Sequence, residues 1–373
     1  MLWSTSEERG SRKDTTNSRP AKVAVPNLFT QNLHSSVEER ASGLIGKRYL
    51  MRRLINMAII AYGAITLNFF LPRIIPGNPV MANLFGGGGG QIGNPVVVKR
   101  LTLEFGLNNP NLLYQYYRYL VELVHGNLGI SFYYYPQSVA SVILQRLPWT
   151  LFLAGSGTIF AALLGIPLGI FLAWRKGSLP DSLISSAGML ISSIPYFWIG
   201  IILLIFFAVD ITIFPVAHAV SQGVTYSNIF AYLGDILYHA VLPVSTLVIA
   251  LMPGYALQMR NTMVTVMHED YIQTAFAKGL PNHVIKNKYA ARNAILPVTT
   301  HVGIALGYVV GGALMVEYLF AYPGVGYTLF TAIQSEDYPL MQGIFLIISL
   351  CVIFANFIVD IIYTLIDPRV SLI

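Results

Sequence analysis

The stretch Glu269 to Pro297, EDYIQTAFAKGLPNHVIKNKYAARNAILP, lies between two apolar runs and is too polar to cross a bilayer. A charge at the membrane centre costs about 3 kcal/mol on insertion scales, so this stretch must sit at the surface. Asp270 is a good N-cap, Ala275 and Ala277 favour helix, and Gly279 can take the left-handed conformation that ends one. The pattern predicts a helix of about two turns over residues 270–278, with Pro281 in the first turn of a second helix. A small-faced surface helix that stops at a glycine can seat in a groove on another protein.

The flanking runs belong to a chain of 373 residues that is 55% hydrophobic and 11% charged, with mean hydropathy +0.61, outside the range of soluble domains. Six stretches can span a core of roughly 30 Å at about 20 residues each: Leu54 to Ile75, Trp149 to Trp174, Leu183 to Val209, His239 to Gln258, Ile295 to Val316 and Leu340 to Ile366. The expected fold class is an all-α polytopic membrane protein with six transmembrane helices. The first stretch begins some fifty residues in, without a small-residue cleavage site behind it, and reads as a retained anchor. Of the 23 lysines and arginines, 18 lie in the tail before Leu54, at Arg175 and Lys176, in the loop Arg260 to Arg292, or at Arg369. The positive-inside rule then puts both termini and the opening stretch in the cytoplasm. The net charge of +6 follows this topology and does not point to nucleic acid.

The resulting organisation is a polar, partly disordered cytoplasmic tail over residues 1–50, an anchor over 51–75, an external domain over 76–148 and a core of five spans over 149–373. The core carries a cytoplasmic loop over 260–297. In the tail, Ser36 with Glu39 could cap a short amphipathic helix. The external segment contains Gly86 to Gly90, an expected helix from Val96 to Phe105, and an aromatic helix from Leu113 to Val124 suited to the membrane interface. The five glycines have no lysine after them and read as a flexible loop, not a phosphate cradle.

Seven scattered histidines form no metal-ligand spacing, there is no Gly-x-Ser-x-Gly elbow, and the one cysteine, Cys351, lies in an apolar run. Catalysis within this polypeptide has no support. Asp360, one helical turn from Asn356 in the last span, needs a polar partner or a watery cavity, and the two are expected to be buried polar groups in the membrane. After the fifth span, Glu317-Tyr-Leu-Phe-Ala-Tyr-Pro-Gly-Val-Gly-Tyr327 precedes an expected helix from Tyr327 to Gln334, and Asp337-Tyr-Pro339 follows it. Irregular backbone here suits an external cap or gate, with Glu317, Tyr322, Pro323, Gly324, Gly326, Asp337 and Tyr338 as its candidate residues.

Together these features resemble the dipeptide/oligopeptide-type ABC importer permease family over about Met51 to Val370. The landmarks are Pro76-Gly-Asn-Pro79, Gly106-Leu-Asn with Gln115-Tyr, Gly126-Asn-Leu-Gly-Ile-Ser131, Gly165-Ile-Pro-Leu-Gly169, Ser193-Ile-Pro-Tyr-Phe-Trp198, the loop after Glu269, Glu317 to Gly326, and Asp367-Pro-Arg369. Asn78 and Asn127 stand where that family usually has aspartate. The resemblance implies a type I ABC importer permease fold in the cell membrane, with a homologous second permease, two ATPase subunits and an external solute-binding protein as partners. It implies no cofactor in this chain, ATP and magnesium being bound by the ATPase subunits. Asp270, Tyr271, Thr274, Ala275, Ala277, Lys278, Gly279, Leu280, Leu296 and Pro297 would then form the ATPase-coupling surface. The cargo implied is peptide, with oligosaccharide or nickel as alternatives in relatives. A secondary ion-coupled carrier would need a mid-membrane ion site and usually an internal repeat, and no repeat is visible.

Overall fold

The computed structural model describes residues 47–74 and 111–366. The tail with Ser36 and Glu39, the five-glycine run, the expected helix at 96–105 and Asp367 to Arg369 lie outside these residues. The chain divides into two units, Met1–Arg52 and Arg53–Ile373, and the described elements belong to the second, the start of the first helix apart.

The described elements are helical. They run α1 Lys47–Ile74, α2 Leu112–Val124, α3 Val139–Trp174, α4 Leu179–Ser193 and α5 Tyr196–Leu203, which continues as a π-helical segment Leu204–Asp210. Next come α6 Ile229–Val266, α7 Asp270–Ala277 and α8 Asn282–Val284, with a π-helical segment Ile285–Ala291 after α8. The chain then forms α9 Arg292–Gly307, α10 Val309–Gly312, α11 Leu314–Leu319, α12 Val325–Gln334 and α13 Tyr338–Ile366. Short polar side chains start the principal helices by taking an orphan backbone N–H. Asn111 accepts from Leu113 at the head of α2, Ser138 from Ser141 at α3, Asn228 from Ala231 at α6, and Asp337 from Leu340 at α13.

Among the described residues, four helices are long and apolar enough to cross a membrane: α1, α3, α6 and α13. The α4–α5 pair makes a fifth if it is one span, bent by 98° at Ile194 and Pro195, where the ring removes a backbone donor. The expected fifth span, Ile295 to Val316, is not one rod. It is broken into α9, α10 and α11, in a run holding Gly303, Gly307, Gly311 and Gly312, residues that weaken a helix interior. The fourth extends beyond its expected end: α6 runs to Val266, so Arg260 lies on this helix and not in the following loop.

α3 and α6 form the spine. Gly165 and Gly169 are buried on α3 because its backbone presses on α6: a Cβ at Gly165 would lie 2.7 Å from the Met252 carbonyl oxygen, and one at Gly169 would meet the Ala256 carbonyl and lie 2.6 Å from Met259 Cβ. Three apolar clusters lie along this spine. One joins Ala173 of α3 to Met259 and Met263 of α6, Ile272 and Ala275 of α7, and Ala294 and Val298 of α9. A second holds Leu153, Leu242, Val316, Phe320 and Tyr322, and a third joins Val139 and Ile143 to Leu329 of α12 and Ile344 of α13. α2 packs on α1 through Phe69, whose ring lies 5.1 Å from Tyr116, with Thr66 and Tyr116 sharing a 2.7 Å hydrogen bond.

Candidate functional site

The polar stretch forms a helix of the expected length, started one residue earlier than its sequence suggested. Glu269 is the N-cap, with no side-chain cap bond, and Asp270 is the first helical residue, placing its carboxylate where the helix dipole favours negative charge. The C-terminus is a Schellman motif: Gly279, at φ +70°, donates to Phe276 O (2.9 Å) and Leu280 donates to Ala275 O (3.3 Å). Pro281 caps α8 and precedes its first turn. Ile272 and Ala275 are fully buried in the cluster shared with α3 and α6, and Leu280 packs against it. Their spacing of three puts them on one face, and Asp270, Tyr271, Thr274, Phe276, Ala277, Lys278 and Gly279 are exposed around the rest of the turn. Tyr271 accepts a 2.9 Å hydrogen bond from Asn293 of α9, and Leu296 and Pro297 are exposed farther along that helix.

A second constellation surrounds Glu317. Its side chain is completely buried, and Oε2 accepts from the backbone N–H groups of Gly326 (2.6 Å) and Tyr327 (3.3 Å) at the N-terminus of α12. Thr150 of α3 accepts from Val325 N at 2.8 Å. Gly324 and Gly326 give the carboxylate room: a Cβ at Gly326 would lie 2.9 Å from Glu317 Oε2, and one at Gly324 would overlap the carboxylate itself. Burial pushes the Glu317 carboxyl up to about 7, against the opposing pull of Thr150 and the two N–H groups. Glu317 Oε1 and the Tyr322 hydroxyl are buried without a hydrogen-bond partner among the described residues. Burial, with Glu317 nearby, also holds the Tyr322 phenol up. Tyr322 packs edge-on against Trp149 at 5.8 Å.

Asp337 closes the far side of α12. It is fully buried and accepts from Ser131 Oγ (2.5 Å), Tyr133 N (3.0 Å) and Leu340 N (3.1 Å), tying the turn before α3 to the start of α13. Burial raises its carboxyl while these donors pull it down. Tyr338, next to it in sequence, and Pro323, at the other end of α12, are half-buried. Thr150, which anchors this end, and Ala173, which packs beneath α7, are about 35 Å apart along α3 at 1.5 Å per residue.

Residues 165–372 match the model of a protein family described as binding-protein-dependent transport system inner membrane component. The chain belongs to this family. It is also 32% identical to the oligopeptide transport system permease protein AppB of Bacillus subtilis over 87% of this chain and 99% of that protein. The dipeptide transport system permease protein DppB of Escherichia coli is 32% identical over 87% and 98%. A putative peptide permease protein of Brucella ovis is 33% identical over 87% and 99%.

For this transport-system component, the structure changes two expectations about individual residues. Ala275 cannot be part of an outward docking face, because α7 uses it to pack on its own chain. Phe276, 43% exposed, takes its place as an apolar group on the free face. The helix period does not show this, since Phe276 follows Ile272 by four residues and so lies on the flank of the buried face, where only the fold decides that it stays exposed. Asn356 is exposed on this chain, not buried, and accepts a 3.0 Å hydrogen bond from the Tyr308 hydroxyl. The Asp360 side chain lies outside the described residues.

Proposed function

We propose that this chain is one permease subunit of an ATP-driven ABC importer and forms, with a homologous second permease, the pathway for peptides delivered by an external binding protein. Six spans with both termini cytoplasmic fit this reading if the bent α4–α5 pair is the third and the broken run 295–316 the fifth, with Glu317 just beyond its end. The lysine and arginine distribution supports the orientation. Residues 76–148 and the cap from Glu317 to Tyr338 then face the binding protein, and the named functions of the relatives support peptide as cargo.

The observation that carries the proposal is α7, a two-turn helix with one face sunk in the permease core and the other exposing Tyr271, Thr274, Phe276, Ala277 and Lys278. An apolar and aromatic surface on a short polar loop marks a protein contact. Closure of the paired ATPase subunits would pull this face, and the buried face would pass the movement to α3, α6 and α9. Moving a two-state pore from 1:99 to 99:1 takes about 5.5 kcal/mol of differential contact, so the seat must be firm in both states.

The test is Gly279→Val in the reconstituted importer. The space around Gly279 is open, so the strain comes from its φ of +70°, which a β-branched residue adopts poorly. Stimulation of ATP hydrolysis by the loaded binding protein should be lost, and Phe276→Ala should weaken it. Normal stimulation in Gly279→Val would count against the coupling role of α7.

A further inference from the structure

Asp181 is the third residue of α4 and is 2% exposed. Arg260 of α6 grips it with two donors: Nε to Oδ1 at 2.5 Å and Nη2 to Oδ2 at 2.7 Å. Gly177 N, in the turn after α3, donates to Oδ2 at 3.0 Å, and Ser185 Oγ to Oδ1 at 3.3 Å. One carboxylate therefore ties together the α3–α4 turn, the start of α4 and the last third of α6. Arg260 lies about two turns before the end of α6, and α7 follows three residues beyond that end.

Elsewhere α4 meets α6 through apolar contact: a Cβ at Gly188 would sit 3.4 Å from Pro253 Cβ and 3.8 Å from Leu257 Cδ1. Such contact is non-directional and lets one helix slide over another. A guanidinium fork on a carboxylate is directional, and with four donors already engaged Asp181 has little capacity to exchange partners. Buried ion pairs are poor stabilisers relative to apolar packing; their best-attested use is to fix register. Beyond α4 the chain turns through 98° into α5, where a Cβ at Gly200 would lie 2.7 Å from Leu319 Cδ2, two residues from Glu317.

We propose that the Asp181–Arg260 pair is the positioning link that makes α4, and through its bend α5, follow α6 when α7 is displaced, carrying movement toward the cap. This rests on the proposed ATP-driven import. The pair holds the register of α4 on α6 in both states of the pore, so the bent pair moves as one body with the helix leading to α7.

The experiment uses the full complex with its ATPase and binding-protein partners, a tryptic casein digest as cargo, and wild type, Asp181→Asn, Arg260→Lys, Arg260→Gln and the double variant Asp181→Asn/Arg260→Gln. Each single variant should keep basal ATP hydrolysis and lose about tenfold of its stimulation by loaded binding protein. The double variant should be no worse than the singles, because both remove one link. Spin labels in wild type at exposed Leu183 of α4 and Thr265 of α6 should keep one separation with and without ATP. A merely structural pair would lower the yield of complex and leave the stimulation ratio of the assembled fraction at the wild-type value; that result overturns the link, as does a label separation that changes with ATP. Absence of stimulation in wild type would refute the import reading itself, a distinct outcome.

Discussion

Glu317 gives the sharpest pH prediction. Its carboxyl is at about 7 while buried against α12, compared with 4.5 for the group in water. A difference of that size corresponds to roughly 3 kcal/mol of preference for the protonated form in the docked cap. Because the docked cap binds the proton more tightly than an opened one, docking is strongest below pH 4.5. It weakens as pH rises through 7 and stays weak above it. Glu317→Gln removes the titration while keeping an oxygen to accept from Gly326 and Tyr327. Amide exchange on residues 325–334, comparing wild type with Glu317→Gln at the same pH, cancels the base catalysis of exchange. Wild type should match the variant near pH 4.5 and be less protected by about a hundredfold at pH 8. A ratio that stays constant between these pH values would refute the reasoning, since the buried carboxyl would then not be linked to cap docking.

Two further outcomes follow from packing. Gly169→Ala drives a methyl into the Ala256 carbonyl and Met259 Cβ, and overpacking of this kind should cost about 1–3 kcal/mol, read as a lower thermal midpoint of the detergent-purified protein. Asp337→Ala removes the acceptor for Ser131, Tyr133 and Leu340 in a fully buried site; with about 1–3 kcal/mol for each orphaned donor, it should destabilise more than Gly169→Ala in the same measurement.

The sequence disclosed elements wherever the local chemistry had one answer. Asp270 to Gly279 reads as a capped helix with a glycine stop, and that helix is present, because charge keeps the stretch out of the bilayer and only glycine takes the left-handed stop cheaply. The aromatic helix before His125 and the helix ending at Gln334 were equally legible. The face of α7 was not, because both alanines favour helix alike and only the fold shows that Ala275 packs on Met259 and Met263 while Ala277 stays outside. Asp181 and Arg260, 79 residues apart, carry no sequence mark of their pairing; composition alone made the arginine part of a loop. Nor does an apolar run announce its breaks, and the segment from Ile295 to Val316 reads as a rod until α9, α10 and α11 divide it.

The half-sunken seating of α7 limits how this module can be transplanted. Because Ile272 and Ala275 share a core with Ala173, Met259 and Met263, a chimaera that exchanges the loop alone would set a foreign underside on a mismatched floor. A working exchange would have to carry the adjoining tips of α3 and α6 with it, so under the proposed coupling role the unit to be exchanged is a three-dimensional patch and not a contiguous motif.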